Sequence, residues 1–74
     1  MQGSYRLTFD DAVDVWLRYW RGEFQHQIAA HYGVNQGRVN EVLKGHLHPG
    51  SERTAAKKRA ALAFVVQIVL IIWF

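Results

Sequence analysis

Cysteine is absent from the 74-residue sequence, so neither a disulfide framework nor a thiolate metal site can be built from it. A chain without disulfides suits the reducing cytoplasm, which we expect to be its compartment. Proline occurs once, at Pro49, where it predicts a loop because proline cannot continue a helix. Residues 1–6 carry a single charge with no apolar stretch behind it, and no secretory signal is expected.

Groupings that signal catalysis are also missing from the sequence. It shows no nucleophile, base and orienting acid together, no phosphate-cradling loop and no paired carboxylate site. The four histidines, His26, His31, His46 and His48, include no pair at the four-residue spacing that would aim two rings at one metal ion from a helix. We therefore expect a protein that is not an enzyme and has no cofactor, metal or small-molecule substrate.

Acidic side chains are scarce in the second half of the sequence. Residues 1–33 carry three basic and four acidic side chains, whereas residues 34–59 carry six basic and two acidic ones, which gives −1 against +4. A local basic stretch attracts polyanions, although an ordinary solvated surface has the same composition. The length fits one domain, and so small a core is often stabilised by a partner subunit.

The first helix is predicted from its capping signal and its apolar spacing. Thr8 and Asp11 have the spacing of a capping box, and Gly22 can end the helix in a positive-φ conformation. Val15 and Tyr19 lie off the main apolar stripe and are interpreted as a partner surface. The stripe itself follows spacings of three and four and is expected to face the core: Phe9, Ala12, Val13, Trp16, Leu17 and Trp20.

Two short helices are predicted next, over Phe24–Tyr32 and from the N-cap Asn35 to Lys44. Gly33 supplies the positive φ that a tight turn needs, and Ala29 is small enough for the two helices to approach closely. The residues expected to close the small core between them are Ile28, Tyr32, Val34, Val39, Val42 and Leu43.

Small, glycine and hydrophobic positions across this region agree in register with a known pattern. From Gly22 to Gly45 the chain follows GE-x-Q-x-x-IA-x-x-x-GV-x-QGRV-x-EVL-x-G. On these residues it resembles the helix-turn-helix family of phage repressors and, more closely, small bacterial proteins with this pattern. The resemblance covers roughly residues 7–51 and implies a compact helical domain that docks its last helix in the major groove of DNA.

The third helix would leave a polar face outside the core, and its chemistry suits base edges. Amides of Gln36 and Asn40 can each bind adenine through two hydrogen bonds, and Glu41 can accept a hydrogen bond from cytosine N4. Gly37 costs about 1 kcal/mol in a helix relative to alanine, and we interpret it as allowing close approach of the backbone to DNA. The residues expected to contact phosphate are Asn35, Arg38, Lys44 and His46, with guanine as an alternative for Arg38.

The sequence from Ala60 to Phe74 is apolar except for Gln67, and a helix is favoured there over a strand. As a helix, its fifteen residues would span about 22 Å, short of the roughly 30 Å hydrocarbon core of a bilayer. Self-association is one hypothesis, and membrane attachment through the preceding Lys57, Lys58 and Arg59 is the other. The residues expected to carry either role are Leu62, Val65, Val66, Val69, Ile72 and Trp73, with Phe64, Ile68 and Ile71 as a second stripe.

The sequence thus predicts an all-α protein with two parts. Residues 1–51 are expected to form a three-helix, helix-turn-helix DNA-binding domain, and residues 52–74 a basic linker followed by an apolar tail. The expected function is sequence-specific binding of double-stranded DNA by a nucleoid-associated bacterial or phage regulator of transcription, acting as a homodimer or larger assembly. The alternative is an adaptor driven by the tail, either self-assembling or attached to the inner membrane.

Overall fold

A computed structural model describes residues 5–74, and over that range the chain is all α-helical, which confirms the expected fold class. The four helices in this range are α1 (Phe9–Trp20), α2 (Gln25–Tyr32), α3 (Gln36–Leu43) and α4 (Ser51–Trp73). Three helices precede Ser51, as expected, and the apolar tail, for which a helix was favoured, belongs to a fourth helix that begins at Ser51 and packs against α1.

α1 begins at the predicted capping box. Asp11 N–H donates to the Thr8 hydroxyl oxygen at 3.1 Å, and the Asp11 carboxylate accepts from Thr8 N–H at 2.9 Å. Two of the backbone donors that a helix leaves unpaired at its start are thereby satisfied. The helix ends at Trp20, and Gly22 turns the chain with φ of 98°.

The core lies between α1, the α2–α3 pair and the start of α4. Val15, expected on a partner surface, is instead fully buried, while Tyr19 remains 43% exposed. The predicted stripe was too narrow because α1 is covered by α2 and α3 as well as by α4, which widens its buried arc. Phe9, expected in the core, is 39% exposed and touches the His48 ring edge-on. The buried apolar residues are Leu7, Ala12, Val13, Val15, Trp16, Ile28, Ala29, Val39, Val42 and Ala55.

The first turns of α4 belong to this core. Ser51 and Ala55 are buried, and the Trp16 indole N–H donates to the Ser51 hydroxyl oxygen at 3.2 Å. Further along, the Arg59 guanidinium lies 4.3 Å from the centre of a Trp20 ring, a cation–π contact. Residues 52–59, expected to be a linker, are therefore helical and are fixed to α1 along one side.

Beyond Arg59, α4 extends away from the core. Every residue from 60 to 74 is exposed, and the chain measures 50 × 21 × 17 Å along its principal axes. We call residues 60–74 the distal half of α4 and residues 51–59 the proximal half. In the range that the structure describes, residues 5–74, no helix combines the length and the apolar character needed to cross a membrane.

Candidate nucleic-acid interface

α3 is held in place by the turn before it and by its own buried side. Gly33 has φ of 68°, and the N–H of Val34 donates to the Ala29 carbonyl at 3.0 Å, which closes the end of α2. Val39 and Val42 are fully buried, as predicted, and they fix the rotation of α3 about its axis. The opposite side of the helix must therefore face away from the core.

The predicted N-cap of α3 is confirmed. The Asn35 side-chain oxygen accepts from Arg38 N–H at 3.2 Å. A neutral amide cap typically stabilises a helix by about 1 kcal/mol. The cap uses the side-chain oxygen of Asn35, an exposed residue, so its NH₂ group is a further hydrogen-bond donor at the start of α3.

The predicted base-contacting residues share the outer side of α3. Gln36 and Gly37 are exposed, whereas Asn40 and Glu41 are half-buried. At about 100° per residue, Gly37 and Lys44, just after the helix, lie farthest from the buried valines, and Asn40 and Glu41 lie on either side of that line. The structure therefore places these residues on one continuous surface about two turns long.

Gln25, the first residue of α2, was not among the predicted site residues but belongs to this surface. It lines a shallow depression together with Gln36, Gly37 and Asn40. Gln25 and Gln36 are each the first residue of their helix, so the starts of α2 and α3 meet at this depression. The glutamine at the first position of both helices is the sequence feature that could have identified Gln25 as part of this surface.

Arg38 and Glu41 form an ion pair at 3.0 Å across the outer surface of α3. Both side chains are more than a third exposed, so the pair contributes at most about 1 kcal/mol and can rearrange. The guanidinium also compensates the charge of a carboxylate that would otherwise repel phosphates. Arg38, a predicted phosphate contact, is thus paired with Glu41, a predicted base contact. The other predicted phosphate contacts Lys44 and His46 are exposed.

A second basic flank, which the sequence analysis missed, lies beside the start of α3. Arg6 and His48 line a cleft that also includes Asn35 and Arg38. His48 has a positive φ of 52°, and its Nε2 donates to the Leu7 carbonyl at 2.6 Å, which ties the N-terminal segment to the loop after α3. The cleft and the Gln25 depression therefore lie on either side of the outer surface of α3.

Gly37 has a structural role beside the one that the sequence suggested. A Cβ atom at this position would lie 3.0 Å from the capping oxygen of Asn35, closer than side chains normally pack. Replacing Gly37 would therefore press on the cap that starts α3. The close approach of backbone to DNA remains a prediction.

A polar cluster orients α2 against α1. Arg18 pairs with Asp14 at 2.7 Å and with Glu23 at 3.2 Å, and the Tyr32 hydroxyl donates to Asp14. Partial burial opposes ionisation of Asp14, but the hydrogen bonds from Tyr32 and Arg18 outweigh it and lower its pKa. Burial and the Asp14 carboxylate together raise the pKa of Tyr32. The cluster thus links α1, the corner at Glu23 and the end of α2.

Among residues 5–74, no group of three or more His, Asp or Glu side chains is arranged to hold a metal ion. Comparison of the chain with protein-family models, with curated proteins and with solved structures found no match.

Proposed function

We propose that the protein binds duplex DNA through the outer surface of α3 and regulates transcription from specific sites in the bacterial or phage genome. The observation that carries this proposal is that one short helix has a buried apolar side and an outer polar side. Val39 and Val42 are fully buried on one side, while Gln36, Gly37 and Asn40 present amides and open backbone on the other. A helix of this width fits the major groove, which is about 12 Å wide.

In this proposal the amides supply sequence specificity. Gln36 and Asn40 each bind adenine through paired hydrogen bonds, with Gln25 beside them to orient the Gln36 amide or to contact the adjoining phosphate. Glu41 accepts from cytosine N4 once its pairing with Arg38 has rearranged. The protein acts by binding, with no catalytic step.

The flanks of α3 supply affinity that does not depend on sequence. Lys44 and His46 lie at the end of α3, while Asn35 and Arg38 lie at its start. In this proposal the two groups contact phosphates on the two walls of the groove. If about four phosphates are neutralised, log K falls with log salt with a slope near −4. Binding that is independent of salt would contradict this arrangement.

Selection from a random duplex library, followed by mobility-shift titration, tests the proposal. Gln36→Ala and Asn40→Ala should each weaken binding to the selected site by roughly 1 to 3 kcal/mol and affect random DNA little. Lys44→Ala should weaken both equally. Gln67→Ala, which removes the same amide from the exposed distal half of α4, is the matched control and should leave binding unchanged.

A second candidate function is supported by the exposure of residues 60–74. In that case the distal half of α4 does the principal binding, and the helices before it form an adaptor, either self-assembling or held at a membrane. Failure to select any duplex, together with retained binding through the distal half, would favour this candidate over the DNA-binding one.

A further inference from the structure

The distal half of α4 gives the chain more surface than a compact monomer has. The accessible surface is 5434 Å², against about 4,700 Å² expected for a compact protein of 8.6 kDa. The radius of gyration is 14.6 Å, against about 11 Å expected. The excess of roughly 700 Å² is close to the ~800 Å² that one partner contributes to a standard protein interface.

The exposed surface continues an interface that already exists within the chain. Ser51 and Ala55 face α1, and the Arg59 side chain on the same side reaches Trp20 at the end of α1. At about 100° per residue, this side of the helix runs on without interruption into the distal half. There it consists of Leu62, Val66, Val69 and Trp73, bordered on one side by Val65 and Ile72. We call these six residues the open seam.

We propose that the open seam is covered by the open seam of a second copy of this chain, with the two α4 helices antiparallel. The seam spacing of four, three and four residues is that of a two-stranded coiled coil. In an antiparallel pair, Leu62 lies opposite Trp73 of the second copy, and Val66 lies opposite its Val69. The same patch then serves both chains, as a two-fold symmetric interface requires.

The antiparallel direction follows from where α1 lies. α1 occupies the seam side of the proximal half of α4, so a parallel pair would bring two α1 helices into the gap between the two proximal halves. In an antiparallel pair, the distal half of the second copy lies beyond the end of α1, on the same side of α4 as α1. The proximal half of each copy then keeps its own α1.

Charge favours the same direction. Lys57, Lys58 and Arg59 precede the open seam, and a parallel pair would place the two basic clusters side by side. In the antiparallel register the two Lys58 residues lie about 28 Å apart along the helix axis, beyond the ~8 Å screening length at physiological salt. Gln67 points away from the seam and keeps its contact with water.

Sedimentation equilibrium of the full chain in buffer without detergent tests the association. We expect a dimer or a larger even-numbered assembly. Val69→Glu, in the seam, should raise the dissociation constant at least 100-fold, whereas Gln67→Glu, which adds the same charge on the other side of α4, should not. Circular dichroism of both variants establishes that the helices are retained. A monomeric full-length protein, or equal effects of the two substitutions, would overturn the proposal.

The direction of the pair can be tested by disulfide formation, because the sequence has no cysteine. A mixture of Leu62→Cys and Trp73→Cys chains should cross-link between copies, while each variant alone should not, since identical positions lie about 16 Å apart in the antiparallel register. Cross-linking of each variant alone would show a parallel pair and overturn the antiparallel arrangement.

Vesicles of phosphatidylcholine and phosphatidylglycerol separate a second copy from a lipid surface as the occupant. We expect the dimer to remain in solution when the vesicles are sedimented. A chain that is monomeric in buffer and sediments with the vesicles would assign the seam to lipid and overturn the proposal. All three experiments are performed without DNA, so their outcome is independent of the proposed function.

Discussion

The α2–α3 pair and the distal half of α4 are both helical but are stabilised in different ways. α2 and α3 have eight residues each, too few to be stable alone, and they depend on caps at their ends and on fully buried residues between them. The distal half of α4 continues a helix of 23 residues, and all its side chains from residue 60 onward are exposed. One region is complete within a single chain, and the other has an apolar surface left over.

The two regions place their apolar side chains on opposite sides of the protein surface. The α2–α3 pair uses its apolar residues inside the chain and offers polar groups outside, which suits a polar ligand such as DNA. The distal half offers apolar residues outside, which suits burial against an apolar partner. The same type of substitution should therefore affect folding in the α2–α3 pair and association in the distal half of α4.

The largest expected effect comes from placing one charge in each region. Val39→Glu buries an unpaired carboxylate in α3, which costs several kcal/mol, comparable to the whole stability of a small domain. We expect it to unfold the chain, with loss of helical circular dichroism and of DNA binding. Val69→Glu, where valine is 44% exposed, should keep the helices and lose only self-association. A folded Val39→Glu protein would show that α3 is not fixed by its buried side.

Truncation after Arg59 removes the distal half and sharpens the comparison. Every buried residue in the described range lies between Leu7 and Ala55, so we expect the shortened chain to fold and to be monomeric. Its affinity for a two-half-site DNA should fall by about 10² or more, because joint binding by two linked domains is lost. Light scattering and titration beside the full chain measure both quantities. An unchanged affinity would separate DNA binding from assembly.

The contact that joins the proximal half of α4 to α1 should respond to loss of one hydrogen bond. Ser51→Ala leaves the buried Trp16 indole N–H without its acceptor, which costs about 1 to 3 kcal/mol. Thermal unfolding followed by tryptophan fluorescence measures the change. Thr54→Ala, at an exposed position one turn further along α4, is the matched control. Equal stability of the two variants would show that the hydrogen bond does not fasten α4 to α1.

Local signals in the sequence were enough to predict where α1 and α3 begin. Thr8 with Asp11, and Asn35 with Arg38, make their contacts within three residues, so their effect does not depend on the rest of the fold. The hydrophobic spacing likewise predicted that Val39 and Val42 face inward. The all-α class and the polar outer side of α3 follow from such short-range patterns.

Contacts between segments that are distant in sequence could not be predicted from such short-range patterns. The burial of Val15 depends on the other helices that cover α1, and Ser51 joins the core through a hydrogen bond with Trp16, 35 residues away in sequence. Gln25 and Arg6 were missed for the same reason, since each reaches the surface of α3 from another segment. A spacing rule within one helix cannot identify a neighbour from a different one.

The smallest expected effect concerns pH and the cluster that orients α2. Because hydrogen bonds from Tyr32 and Arg18 outweigh burial, the pKa of Asp14 is lower in the folded chain than in the unfolded one, where it is about 3.9. A lowered folded pKa gives stability that is present above about pH 4 and is lost as pH falls through the folded value. Asp14→Asn should therefore show a smaller fall in melting temperature between about pH 5 and pH 2 than the parent chain. Asp10→Asn, which removes an exposed carboxylate from the same helix, should keep more of that fall. If Asp14→Asn and the parent chain lose the same number of degrees over this range, ionisation of Asp14 does not stabilise the folded chain, and its contacts with Tyr32 and Arg18 do not help to hold α2 against α1.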